Sequence, residues 1–175
     1  MGLISVMKFM AASTSRLDTR VELNSYLIGK TRELLRILSF CLYSDRMSSV
    51  LRGMKVLVVD DEKDITDIFV EDLEAVGCEV TVAPNGTEGL REYRRLAPDF
   101  ILSDVRMFGG DGLSMLREIR AEKRSTPPYV IMMSGFFDVT EKDVIGMGAQ
   151  AFVSKPFDYE AVRGLMASLK SPAKS

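Results

Sequence analysis

Four polar interruptions of apolar runs carry the reactive chemistry of this 175-residue chain. The first is Asp60-Asp61, which follows Val56-Leu57-Val58-Val59 directly. Adjacent carboxylates repel, and a hard cation is one way to hold them together, because Mg2+ takes one or two carboxylates plus water and phosphate oxygens. The same pair could simply open a turn and cap a helix, and from this stretch alone both readings stand. The others are Asp104 after Asp99-Phe100-Ile101-Leu102-Ser103, Ser134 after Tyr129-Val130-Ile131-Met132-Met133, and Lys155 after Ala151-Phe152-Val153-Ser154. Any one of them is an ordinary turn residue. Together they supply a carboxylate metal cage, a carboxylate nucleophile, a hydroxyl donor and a cation. Phosphoryl transfer asks for that set, since its catalysis is mostly positioning and neutralisation of oxygen charge.

For these groups to meet, the apolar runs must be parallel strands whose carboxyl ends share one edge of a sheet, where open α/β sheets bind their ligands. Val56–Val59 is short, apolar and rich in β-branched residues, as a strand buried on both faces should be. Ile65, Ile68, Phe69, Leu73 and Val76 fall at helical spacing and predict one apolar helix face, closed by Gly77. A second strand is predicted over 79–83, a turn at Pro84-Asn85-Gly86, a helix over 87–96, and a break at Pro98 before the strand that ends at Asp104. Gly109, Gly110 and Gly112 predict a flexible loop. Leu113, Leu116 and Ile119 mark the next helix. A fourth strand over 129–133, a short helix over 139–147, a fifth strand over 151–153 and a last helix over 158–169 complete the pattern. Five strands alternating with five helices predict an α/β fold, a doubly wound parallel sheet with right-handed crossovers. The most economical strand order is the flavodoxin-like 2-1-3-4-5.

Composition limits the function. A chain that is 46% hydrophobic and 27% charged is of the globular type, and its net charge of -2 gives no bias toward nucleic acid or anionic membrane. There is no histidine, which excludes histidine triads, most zinc sites and a phosphohistidine carried by the chain itself. Cys41 and Cys78 form no disulfide framework and suit a reducing cytoplasm. Residues 1–53 form an amino-terminal extension with 8 Lys+Arg against 4 Asp+Glu, whereas residues 54–175 have 15 against 21, so the two parts differ in charge sign. Leu3 to Ala12 is interrupted by Lys8 and too short to span a membrane. Leu23, Leu27, Leu34, Ile37, Leu38, Cys41 and Leu42 recur roughly at helical spacing, so this extension is expected to be part helical. Met47 and Met54 stand immediately before the first strand, where a later translation start would be expected if residues 1–53 are not native.

From about Lys55 to Leu169 the chain resembles the receiver domain of two-component response regulators, of the single-domain type. The resemblance rests on Val58-Val59-Asp60-Asp61-Glu62, Pro98-Asp99-Phe100-Ile101-Leu102-Ser103-Asp104, Met132-Met133-Ser134-Gly135, Gly148-Ala149 and Lys155-Pro156-Phe157, in that order and spacing. It implies a domain over 54–170 with a short tail at 171–175, and the strand order already named. It also implies that Asp104 accepts a phosphoryl group from a sensor histidine kinase or a histidine phosphotransfer protein. Mg2+ would be held by Asp60, Asp61, Asp104 and the backbone carbonyl of Arg106, with Asp60 acting largely through water. Lys155 would pair with Asp104 at rest and with a phosphoryl oxygen afterwards. Ser134 would bind another phosphoryl oxygen, and Phe152 holds the position of the family's aromatic switch, although its residue type alone suits an ordinary core aromatic. The response would reach a downstream effector through the face of the fourth helix, fifth strand and fifth helix. A cis peptide is implied at Lys155-Pro156.

The chain departs from the family pattern after Asp104, where Met107 is followed by Phe108, Gly109 and Gly110 in place of the usual proline. Arg106 and Phe136 lie where side chains could gate water. The rivals are a receiver-like interaction module that is not phosphorylated, and a haloacid-dehalogenase-type phosphatase. The second needs Asp-x-Asp, and here Glu62 and Lys63 stand two residues after Asp60 and Asp61. Only Lys170 to Ser175 follow Leu169, too few for a helix-turn-helix. The expectation is therefore a cytoplasmic phosphoacceptor protein, not an enzyme acting on other substrates, with no membrane insertion and no direct nucleic-acid contact.

Overall fold

The computed structural model describes residues 48–135 and 139–171. The helix expected near Leu23–Leu42, Cys41, and Phe136 lie outside them.

Five strands alternate with five helices: β1 Lys55–Val59, α1 Lys63–Ala75, β2 Glu79–Ala83, α2 Gly86–Leu96, β3 Phe100–Asp104, α3 Gly112–Ala121, β4 Tyr129–Ser134, α4 Glu141–Gly146, β5 Ala151–Ser154 and α5 Tyr159–Lys170. A helical turn at 48–51 precedes β1. All strand pairs are parallel, in the order 2-1-3-4-5, as the sequence predicts. The register pairs Val59 with Ser103 and Asp104 with Met133, which brings the polar strand ends to one edge.

Because successive residues of a strand face opposite sides, the continuous apolar runs feed two cores. Val56, Val58, Phe100, Leu102, Ile131 and Met133 pack with Phe69 and Leu73 of α1 and Val162 and Met166 of α5. Leu57, Val59, Ile101, Val130 and Met132 pack on the other side with Tyr93 of α2, Met115, Leu116 and Ile119 of α3 and Val144 of α4. A sheet covered on both faces by helices is what all-parallel pairing requires. Leu51 is fully buried in the first core, and Cys78 Sγ donates to its carbonyl at 3.5 Å.

The stops follow local chemistry. Gly77, at φ +88°, follows the last turn of α1, and Ala97 takes the left-handed conformation at φ 47° after α2. In two places the sequence reading needs correction. Ile68 is exposed rather than part of the α1 core face, while Thr66 is buried beside Phe69. Gly112 belongs to no flexible loop: it is the first residue of α3 and packs on the backbone of Asp104.

Candidate functional site

Each site residue emerges from a strand end. Asp60 and Asp61 follow β1, Asp104 closes β3, Ser134 closes β4 and Lys155 follows β5. Asp60, Asp104 and Ser134 are buried, and Asp61 is exposed at the rim. One carboxylate oxygen from each of Asp60, Asp61 and Asp104 lies within 4.8 Å of the others.

Lys155 anchors the cluster. Its Nζ donates to Asp60 Oδ2 at 2.9 Å, Glu62 Oε1 at 3.0 Å and Asp104 Oδ2 at 3.1 Å. The peptide Lys155-Pro156 is cis, and Lys155 N–H donates to the Ser134 carbonyl at 2.8 Å, extending the β4–β5 pairing past the last strand residue. Three further carboxylate oxygens take backbone donors: Glu62 N–H to Asp60 Oδ1 at 2.9 Å, Val105 N–H to Asp104 Oδ1 at 2.7 Å, and Phe108 N–H to Asp61 Oδ2 at 2.9 Å.

Burial pushes the Asp104 carboxyl above the usual carboxylate range. The Lys155 charge and hydrogen bond oppose that, and the nearby Asp60 charge adds to it. Burial disfavours the Lys155 ammonium too, yet its hydrogen bonds to Asp60 and Glu62 and the Asp104 and Asp60 charges outweigh it and hold the proton more firmly than usual. The pocket thus concentrates more negative charge than one lysine compensates. An all-oxygen donor set with one exposed carboxylate at the rim fits a hard divalent cation that keeps part of its water shell.

The β3–α3 loop closes one side. Phe108 is 92% exposed while its N–H binds Asp61. Gly109 and Gly110 have φ of +83° and +155°, and the Gly110 carbonyl accepts Gly86 N–H of α2 at 3.2 Å. Glycine here fits the positive-φ backbone of the loop. Arg106 is exposed on this loop. Val105, Arg106, Met107, Asp111, Leu113 and Val139 line a groove beside it. Phe152 is half-buried against the second core.

Three contributors were not singled out from sequence. Glu62 holds Lys155. Ser103 Oγ, fully buried, donates to the Asp104 carbonyl at 2.9 Å. Gly112 clears space: a Cβ there would lie 2.0 Å from the Asp104 carbonyl oxygen. A serine inside an otherwise apolar strand was the available signal for Ser103; Glu62 and Gly112 look like a helix cap and a loop glycine.

A five-stranded 2-1-3-4-5 sheet with three carboxylates, a lysine and a serine at its carboxyl edge defines a class, and the comparisons agree. The model of the response regulator receiver domain matches residues 56–167, and the chain belongs to that family. It is 34% identical over 107 residues to the regulatory protein AtoC of Escherichia coli (strain K12); the match takes in 61% of this chain and 23% of AtoC, so the chain spans under a quarter of that relative's length. The chemotaxis response regulator CheY4 of Vibrio cholerae has a solved structure similar to this one at TM-score 0.62 and 25% identity, covering 67% of this chain and 98% of that one. The receiver domain of NtrX from Brucella abortus matches at TM-score 0.58 and 32% identity, covering 66% and 96%. The family is one of two-component signalling proteins rather than of conventional enzymes. Among the described residues no helix is long and apolar enough to cross a membrane.

Proposed function

We propose that this protein takes part in a cytoplasmic phosphorelay, accepting a phosphoryl group on Asp104 from a phosphohistidine of a sensor kinase or a phosphotransfer protein. The observation that carries this reading is the meeting of Asp60, Asp61 and Asp104 within 4.8 Å beside a lysine bonded to two of them. Asp60, Asp61, Asp104 and the Arg106 carbonyl would hold Mg2+. When bound, Mg2+ supplies positive charge that lets an anionic carboxylate approach an anionic phosphoryl group.

The chain's own groups do the rest. An Asp104 carboxylate oxygen attacks phosphorus in line, forming the acyl phosphate O–P bond as the donor N–P bond breaks. The departing imidazole keeps that electron pair and takes a proton from solvent. Lys155 is already within reach of Asp104 and transfers a hydrogen bond to a phosphoryl oxygen. Ser134, buried on the neighbouring strand end, supplies a hydroxyl to another. Each such bond to a charged group contributes about 1.5–3 kcal/mol, and a phosphoryl group can bias the fold only by that differential affinity. Movement of Ser134 gives Phe152 room to turn inward, which alters the α4–β5–α5 face that an effector reads. The domain promotes its own phosphorylation and, by hydrolysis of the acyl phosphate, its own dephosphorylation.

Incubation with acetyl phosphate tests this. Intact mass should rise by one phosphoryl group with Mg2+ present and by none when the metal is chelated. Absence of uptake under both conditions would favour an interaction module that is not phosphorylated.

A further inference from the structure

Among helices α1 to α5, four are capped by the side chain of their N-cap residue: Asn85, Asp111, Thr140 and Asp158 each accept a backbone N–H from the first turn. The fifth, α1, has Glu62 at that position and no side-chain cap. Glu62 instead turns its carboxylate across the pocket to Lys155, 93 residues away in sequence, at 3.0 Å. Its own N–H is taken by Asp60 Oδ1.

An ammonium group has three donors, and at rest all three of Lys155 are committed, to Asp60, Glu62 and Asp104. Asp104 gives up its bond as it takes the phosphoryl group, and Asp60 and Glu62 still hold the ammonium in its resting place. The Asp60 side chain is 0% exposed, so losing the lysine would leave a buried carboxylate without its partner. The Glu62 side chain is 60% exposed and exchanges the lysine for water at little cost. Its charge also stands at the mouth, where an anionic donor must enter.

We infer that Glu62 is a positioning residue that holds Lys155 in its resting place and sets a negative charge at the mouth of the pocket, so that it restrains phosphoryl uptake. This rests on the reading of Asp104 as the acceptor. Glu62 holds the ammonium where it rests and repels the incoming group by one unit of charge.

The test compares wild type with Glu62→Gln, which keeps shape and removes charge at an exposed site. With Mg2+ saturating for each protein, the rate of labelling by acetyl phosphate at low ionic strength should rise about three- to tenfold in Glu62→Gln, the effect of one unit charge about 6 Å from a dianion in a water-like medium. That advantage should shrink as KCl is raised, because exposed charges are screened. In metal-free protein, the Lys155 ammonium protons followed by nitrogen-resolved NMR should exchange with water severalfold faster in Glu62→Gln. Equal or slower labelling in the variant overturns the claim that Glu62 restrains uptake. Unchanged ammonium exchange overturns the positioning role even if labelling accelerates, since charge alone would do that. A failure of wild type and variant alike to take up label strikes the acceptor reading instead, and the ammonium exchange still decides the contact.

Discussion

At the scale of the residue, opposing effects act on Asp104. Burial and the Asp60 charge raise its proton affinity, Lys155 lowers it, and burial prevails. A carboxyl whose folded pKa lies above its unfolded one contributes stability that is complete below the ordinary value of 3.8 and is lost as pH rises through the folded pKa. In metal-free buffer at neutral pH, Asp104→Asn should therefore unfold at a higher denaturant concentration than wild type. The gap should narrow as pH falls toward 3.8, where the wild-type carboxyl also becomes neutral. A wild type more stable than Asp104→Asn at neutral pH would mean that the lysine, not burial, dominates. The strand-end residues were legible in sequence because each interrupts a run too apolar to be anything but buried strand. Glu62 was not, because nothing in Asp60-Asp61-Glu62 tells a capping carboxylate from one that reaches across the sheet.

At the scale of the element, the β3–α3 connection sets the aim of the site. Gly112 N–H donates to the Val105 carbonyl at 3.0 Å, so α3 starts hard against the end of β3. Gly112→Ala puts a methyl group 2.0 Å from the Asp104 carbonyl oxygen, and that clash is with backbone, which cannot swing aside. Denaturant titration should show a loss of about 1–3 kcal/mol, the usual cost of overpacking. A change within about 0.5 kcal/mol, normal for a neutral surface substitution, would contradict this placement. Sequence could not separate Gly112 from Gly109 and Gly110, since backbone freedom and missing volume call for the same residue. Nor could helical spacing separate Ile68 from Phe69: α1 touches the sheet along a narrower stripe than its apolar residues mark, and Ile68 stays 45% exposed.

At the scale of the molecule, the sheet divides the apolar interior into two cores, and the site rests on both. Asp60 and Lys155 follow strands that feed the first core, whose packing includes Leu51. Leu51 lies in the stretch that composition alone groups with the amino-terminal extension, yet it is fully buried. Leu51→Ala should cost about 2–5 kcal/mol, as truncation of a buried leucine does. A cost below about 1 kcal/mol would show that this turn is not integral to the fold. The alternation of strands and helices made the parallel sheet and its polar edge readable, but any parallel order brings those ends to one edge, and the order 2-1-3-4-5 came from the family resemblance.

The central claim is that one carboxylate of this pocket, Asp104, receives the phosphoryl group. Protein labelled with acetyl phosphate and Mg2+ can be reduced with borohydride, which converts an aspartyl phosphate to homoserine, and the site then read by peptide mass spectrometry. Homoserine should appear at position 104 in wild type, and Asp104→Asn should yield no homoserine at any position. Homoserine at position 60 or 61, or undiminished labelling of Asp104→Asn, would contradict it.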